Sequence, residues 1–399
     1  MNTVRRANTF VFFLLRAFFK PFLFLFYRFL FETKTSRGIK APCLILSNHQ
    51  TVYDQFLVGV GFRFGINFIA SDTLFRHGLG SWFMKVLGRP IPFSKGNSDL
   101  IAIKSMLSVI KEGGCIGMFP SGNRSFFGEE STIIGGIGKL AKKFRVPLVL
   151  VQIRGGFFTL PRWAAAASLG KMRACVVRVV QPEELAALSG EEIDGIIRQA
   201  ICYNEYEYNK TAQIVYRGRR KAEYLESALF YCPQCRSMTA LYSQGNEFFC
   251  RDCGARVKIN DTGFFERIEK AERIPQTILE WSRLQLDYVK GFDFSPFTDR
   301  PVFSDDGVIL SRAERATRED RLGKGLIAFY SDRMTICGKE FLHAETTTAI
   351  HGVRKMTIYN KDGVYAAVAP PRTNLVKYMM CGYHLRNKIL NTGEEYYGY

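Results

Sequence analysis

Two Cys-x-x-Cys pairs, Cys232 with Cys235 and Cys250 with Cys253, stand 14 residues apart in the segments YCPQC and CRDCG. Each pair sets two thiolates on one side of a tight turn, and two such knuckles close a tetrahedron. The spacing therefore dictates local structure more tightly than anything else in the chain. It predicts a closed, structural zinc site, with TALYS and NEFFC as strands of a zinc ribbon over residues 227–262. A rubredoxin-like iron and redox-active thiols are the other occupants such a spacing allows. The insert between the knuckles, RSMTALYSQGNEFF, carries one Arg and one Glu. That is too little charge to track a phosphate backbone, so no nucleic-acid partner is expected and the ribbon reads as a stability or docking element. The remaining cysteines (Cys43, Cys115, Cys175, Cys202, Cys337, Cys381) are scattered, mostly in apolar runs. They read as buried thiols of a reducing compartment.

The formal charge of the 399 residues is +18, which predicts anionic partners. It is concentrated at the start. Residues 1–40 hold Arg5, Arg6, Arg16, Lys20, Arg28, Lys34, Arg37 and Lys40 against the single acid Glu32. The same region contains TFVFFLLRAFFKPFLFLFYRFLF, residues 9–31, with ten of the 34 Phe. No small-residue cleavage site follows, so a removable signal is not indicated. A single helix would be long enough to cross a bilayer. Its sixteen Phe, Leu and Val contribute roughly −7 kcal/mol to insertion, and three central cations oppose it by roughly +9. Spanning is not favoured, and Pro21 is expected to divide the run into two short pieces. Residues 1–40 are therefore expected to be an anchor lying in the membrane surface, with Phe and Leu in the acyl region and Arg and Lys at the phosphates. The expected location is peripheral or monotopic, on the cytoplasmic face of the cell membrane.

APCLILS, residues 41–47, is a short apolar run consistent with a buried strand. It leads into NHQTVYD, where His49 and Asp54 have four residues between them. A His at a strand end with a carboxylate one turn later suits a general base and the group that orients it. Some 70 residues on, CIGMF, residues 115–119, reads as a second buried strand and runs into PSGNRSFFG. Its Pro-x-Gly turn presents backbone amides, and Arg124 offers the side chain best matched to phosphate. Between these lie LGRPIPFSKG with Gly88 and Lys95, and after them the Pro-led apolar strand RVPLVLVQ.

In this order, over about residues 41–155, the four blocks resemble the lysophosphatidate acyltransferase family. Its N-H-x-x-x-x-D block is matched by Asn48, His49 and Asp54. Gly88 and Ile91–Pro92 correspond to the second block, with Lys95 in its Arg position and one residue extra. Phe119, Pro120, Gly122, Arg124 and Ser125 match F-P-E-G-T-R-S, and Val146, Pro147 and Val149 match the fourth block. Ser121 stands where the family has Glu, and Asn123 where it usually has Thr. Ile134 stands where a Lys often precedes a Gly.

The resemblance implies an O-acyltransferase that moves an acyl chain from an acyl-carrier-protein or coenzyme A thioester to the hydroxyl of a lysophospholipid, most simply lysophosphatidate. His49 would be the base and Asp54 its orienter. Asn48, Lys95, Pro120, Ser121, Gly122, Asn123, Arg124 and Ser125 would contact substrate, and the Pro120–Gly122 amides would face the oxyanion. The alternatives are another lysolipid or hydroxyl acceptor, or a catalytically inactive lipid-binding scaffold.

The expected architecture is α/β: a glycerolphosphate-acyltransferase-type sheet flanked by helices over 41–226, the ribbon, a helical and loop linker over 263–320, and a small mainly-β domain over 321–399. In the last, GLIAFYS, RMTICG, KEFLHAE, AIHGVRKMTIYN and GVYAAVA read as strands, NKDG as a hairpin turn, and TNLVKYMMCGYHLRNKIL as a closing helix. This pattern resembles a pleckstrin-homology or GRAM-like module.

Overall fold

The computed structural model describes residues 4–71, 88–93, 100–130, 133–313 and 320–393. They form two compact units. The first holds most of the residues up to Glu205. The second holds Tyr206 onward, with Phe126–Gly128 and Leu160–Ser168.

The first unit is a mixed α/β layer. Its sheet runs β1 (Phe29–Phe31), β7 (Met172–Val180), β6 (Leu148–Arg154), β2 (Leu44–Ser47), β5 (Cys115–Met118), β3 (Ile66–Ser71) and β4 (Ile91–Phe93). The pairs β6–β2, β2–β5, β5–β3 and β3–β4 are parallel, whereas β6–β7 is antiparallel. LILS and LVLVQIR are continuous apolar runs because helices cover both faces of the central strands. On one face, α3 (Leu100–Lys111), α4 (Ile137–Phe144) and α5 (Gly190–Ile201) pack over Leu44, Leu46, Ile116, Leu148 and Leu150. Helix α5 starts at Ser189 with a capping box to Glu192, as Ser-Gly-Glu-Glu implies.

On the other face, α2 (Asp54–Gly59) and the N-terminal helix α1 (Thr9–Tyr27) cover Ile45, Val149 and Val151. Helix α1 corrects one expectation, because it continues through Pro21. Proline removes one hydrogen bond, and its ring lies on the exposed side. Packing holds both halves on one axis: Phe19 stacks on Phe56 at 4.1 Å, Leu23 is fully buried, and Arg16 Nε donates to the Val60 carbonyl at 2.9 Å. The exposed side of α1 carries Phe10, Phe13, Leu14, Phe18, Phe24 and Leu25. The chain passes from α1 into β1, so residues 29–31 belong to the sheet rather than to a separate anchor ending at 40.

In the second unit, β8 (Leu241–Gln244), β9 (Glu247–Cys250), β10 (Arg256–Ile259) and β11 (Phe265–Glu269) form an antiparallel sheet around the four cysteines. The ribbon sheet thus extends past the expected end at 262. Helix α6 (Ile278–Gly291) closes it: Trp281 packs on Phe248 and Phe265 and donates from Nε1 to the Tyr231 carbonyl at 2.7 Å.

A second antiparallel sheet has the order β15 (Lys339–Leu342), β14 (Arg333–Ile336), β13 (Asp320–Phe329), β12 (Phe303–Ala313), β18 (Gly363–Val368), β17 (Lys355–Asn360) and β16 (Thr347–His351). Helix α7 (Leu375–Leu390) packs against it. β12 lies in what reads as linker, so this sheet begins at 303 and not 321. Alternating Ser, Asp and Gly hide a strand that only its partners β13 and β18 bury. Ribbon and sheet belong to one unit. Arg372 pairs with Glu226, and with Glu223 at 3.1 Å, and Asn374 Nδ2 donates to the Glu226 carbonyl at 2.7 Å.

Candidate active site and cysteine cluster

The carboxyl ends of three neighbouring parallel strands, β2, β5 and β6, carry the polar residues of the first unit. Ligand sites of open α/β sheets sit at such strand ends. β2 delivers Asn48 and His49, and Asp54 opens α2. His49 Nδ1 lies 2.7 Å from Asp54 Oδ2, and the Asp54 side chain is wholly buried while that of His49 is 20% exposed. The Asp54 carboxylate also accepts from the Gln50 amide at 2.5 Å, the Thr51 amide at 3.0 Å and Thr51 Oγ1 at 2.6 Å. A carboxylate with four donors accepts the Nδ1 proton, which leaves Nε2 as the basic nitrogen. The His49 ring stacks on Phe119 at 4.3 Å and is held flat.

From β5 the chain enters the Pro120–Ser125 turn. The Ser125 amide donates to the His49 carbonyl at 2.8 Å, and Ser125 Oγ to the Glu129 carbonyl at 2.6 Å. The turn is thereby tied to the His49 loop. Burial lowers the pKa of Arg124, and the negative charge of Asp54 opposes that shift. Ser121 and Asn123 are buried, and Ser121 Oγ donates to the Asn123 carbonyl at 3.0 Å.

Two expected roles change. The Asn48 side chain gives Nδ2 to the Ile153 carbonyl and takes the Ile153 amide on Oδ1, both at 2.7 Å. Its amide is occupied in closing the end of β6 against β2, so it holds the loop instead of contacting substrate. The Gly122 amide donates to the Phe119 carbonyl at 3.0 Å, and Pro120 has no N–H. Of the expected Pro120–Gly122 amides, that of Gly122 is thus committed within the turn and Pro120 has none to give. Lys95 lies outside the described residues.

Two buried acids had no sequence motif to mark them. Glu130 accepts the His49 amide on both oxygens at 3.2 Å. Burial pushes its carboxyl up to about 8, while Ser121 and the His49 amide pull the other way. Glu205 accepts the Gly155 amide at 2.8 Å, and burial pushes it up to about 7. Gln50 Oε1 accepts the Phe157 amide at 3.2 Å. Together these bonds fix the 48–54 loop from behind. The one available signal was the Glu129-Glu130 pair nine residues past a motif position that lacks its acid.

In the second unit the four cysteine sulfurs all lie within 4.8 Å of one another. Cys232 Sγ and Cys253 Sγ are 3.8 Å apart, and Cys235 Sγ and Cys250 Sγ 3.6 Å. A tetrahedral zinc with bonds of about 2.3 Å sets its sulfurs about 3.8 Å apart, whereas a disulfide needs about 2.05 Å. The cluster therefore fits a four-thiolate metal ion.

Residues 28–154, which contain every residue of the His49 site up to β6, match the family model Acyltransferase. Two curated relatives each align with under a third of the chain. The chloroplastic 1-acyl-sn-glycerol-3-phosphate acyltransferase of Brassica napus is 28% identical over 116 residues, 29% of this chain and 33% of that one. The 1-acyl-sn-glycerol-3-phosphate acyltransferase of Bacillus subtilis is 29% identical over 114 residues, 28% of this chain and 55% of its own length. The chain thus spans between a third and just over half of these relatives. The crystal structure of the 1-acyl-sn-glycerophosphate acyltransferase of Thermotoga maritima aligns with a TM-score of 0.41 at 22% identity, covering 48% of this chain and 76% of that one. In sequence, this part of the chain is similar to acyltransferases.

Proposed function

We propose that the protein is a membrane-surface O-acyltransferase that transfers an acyl chain from a thioester of acyl carrier protein or coenzyme A to the free hydroxyl of lysophosphatidate, giving phosphatidate. The observation that carries this reading is the His49–Asp54 pair at the end of β2, its Nδ1 held at 2.7 Å and Nε2 left for the proton. His49 Nε2 removes the acceptor hydroxyl proton as the oxygen attacks the thioester carbonyl. Asp54 holds the ring and stabilises the imidazolium. The tetrahedral intermediate collapses with cleavage of the carbon–sulfur bond, and His49 returns the proton to the departing thiolate. Arg124 binds the acceptor phosphate, with Lys95 as its expected companion. No acyl-enzyme is required.

The exposed apolar side of α1 supports membrane association. Phe10, Leu14, Phe18 and Leu25 recur at helical spacing on one side. The opposite side is packed on the domain through Phe12, Phe19, Phe22 and Leu23. A helix so packed lies along the membrane surface rather than across it. The two antiparallel meanders joined through β12 and β18, with α7 closing them, support the pleckstrin-homology or GRAM-like reading of the C-terminal sheet. A zinc ion on Cys232, Cys235, Cys250 and Cys253 would supply structural closure and take no part in the reaction.

The test is one assay: detergent-purified protein, lysophosphatidate, a mixed set of acyl thioesters, products read by mass spectrometry, with His49→Ala alongside. Phosphatidate made by the wild type and absent with the variant supports the reading. A folded wild type that acylates no lysolipid overturns it.

A further inference from the structure

The position at which the resembled family carries a carboxylate holds Ser121, a short neutral side chain whose hydroxyl is committed to the Asn123 carbonyl at 3.0 Å. A carboxylate is nonetheless present beside it. Glu130, at the far end of the same loop, is only 7% exposed, and its side chain lies beside that of Ser121. Both of its oxygens lie 3.2 Å from the His49 amide. Among the described residues no Lys or Arg forms an ion pair with it. Its segment is fixed in place: the Glu130 amide donates to the Tyr203 carbonyl at 3.2 Å, and Glu129 bridges to Asn204.

Such an arrangement is expensive to keep. A buried carboxyl without a cation is penalised by desolvation, and its neighbour Asp54 adds like charge. A hydrophobic residue would fill the same volume at lower cost. What Glu130 does in return is specific. It grips the main chain of His49 on one side and touches the Pro120–Arg124 turn through Ser121 on the other. The base and the phosphate-binding turn come from different strands, and Glu130 joins both.

We propose that Glu130 is the positioning residue that supplies, from nine residues downstream, the carboxylate missing at Ser121, clamping the His49 main chain to the Pro120–Arg124 turn. The inference rests on the acyl-transfer reading above. It adds that Ser121 is a relocated motif and not a lost one, so the site is competent for catalysis.

The experiment moves the carboxylate back. Wild type, Glu130→Ala, and the double variant Ser121→Glu/Glu130→Ala are compared for kcat and for KM of lysophosphatidate, with thermal melts to establish folding. Misplacing a catalytic group by about 1 Å is worth about 10²-fold. Glu130→Ala is therefore expected to lose about 10² in kcat, with KM changed less than about threefold, and the double variant to regain at least tenfold of that loss. A kcat within about threefold of wild type in Glu130→Ala, or no recovery in the double variant while it remains folded, overturns the proposal. If Glu130→Ala does not fold, Glu130→Asp takes its place. Its carboxyl is one methylene shorter and cannot reach the His49 amide and Ser121 together, so about tenfold is expected to be lost in kcat, and full activity overturns the idea.

A second readout separates this proposal from the reaction on which it rests. The titration of the His49 ring is followed by NMR in protein labelled at histidine, with His49→Ala to assign the signal. It should move by half a unit or more in Glu130→Ala and return in the double variant. If the wild type acylates no lysolipid, the reaction is wrong, and this titration alone judges Glu130. An unmoved titration then refutes its positioning role.

Discussion

The His49 site and the cysteine cluster are both tight groups of reactive side chains, but they are assembled in opposite ways. All four cysteines come from 22 consecutive residues, Cys232 to Cys253, and two local turns place them. The groups around His49 come from residues 48–54, 119–130, 153–157 and 203–205, brought together by parallel strands that are far apart in sequence. The cysteine cluster has the geometry to close on a single metal ion. The His49 site completes its own with buried hydrogen bonds, several of them to partners on another strand or loop. A site of the first kind depends on one ligand, and a site of the second kind depends on the whole sheet.

The sharpest way to break the comparison is at the base. His49→Ala should reduce acyl transfer by about 10³-fold or more, since general-base catalysis alone contributes about 10²–10⁴. Asp54→Asn should come close to it, because an amide can hold Nδ1 in the wrong tautomer. Steady-state rates on folded protein check both, and activity within tenfold of wild type in either would remove the pair from the mechanism.

Removing the metal should act through folding. Elemental analysis is expected to find one equivalent of zinc, and Cys250→Ser, or chelation, should remove it and unfold the strands β8–β11, because binding at such sites supplies folding energy. The expected loss is several kcal/mol, seen as a lowered melting temperature. A metal-free protein with an unchanged melt would mean the four thiols do not need the ion.

Charging the exposed side of α1 comes next. Phe13→Glu with Phe18→Glu should weaken binding to vesicles by about 10²-fold, since each buried Phe contributes about 1.5–3 kcal/mol. Binding by the wild type should resist 0.5 M salt far better than a purely electrostatic attachment would. Unaltered sedimentation with vesicles would move the anchor elsewhere.

The smallest effect concerns pH. Burial raises the Glu205 carboxyl to about 7 in the folded protein from an ordinary 4.5. The folded state thus holds a proton that the unfolded state releases first. Its contribution is fully present below about 4.5 and is lost as pH rises through about 7. At about 1.4 kcal/mol per unit, that is at most about 3.5 kcal/mol. Glu205→Gln should flatten the fall in melting temperature between pH 5 and 7.5; an identical slope would show that Glu205 is not the group responsible.

Much of the molecule is legible without coordinates. The apolar runs LILS, CIGM and LVLVQIR mark buried parallel strands, His49 and Asp54 mark the loop that follows the first, and Cys-x-x-Cys spacing marks the metal site. Each is a local pattern with a local physical cause. The C-terminal strands and the NKDG turn are legible for the same reason: side-chain alternation and turn chemistry are properties of neighbouring residues. Helix α1 shows the limit. Its apolar composition is plain, but whether Pro21 breaks it depends on Phe19 finding Phe56 on α2 and Leu23 entering the core beneath.

What tertiary structure alone decided is which polar groups meet. Asn48 reads as a substrate ligand until Ile153 occupies its amide, 105 residues away. Glu130 and Glu205 carry no motif, and only the fold buries them against His49 and Gly155. Strand β12, with its Ser, Asp and Gly, becomes a strand only between β13 and β18. Sequence by itself determined the local elements and the residues capable of chemistry, because propensity and spacing act over a few residues. Burial and hydrogen-bond partnership join residues 50 to 107 positions apart, and only the packed chain fixes them.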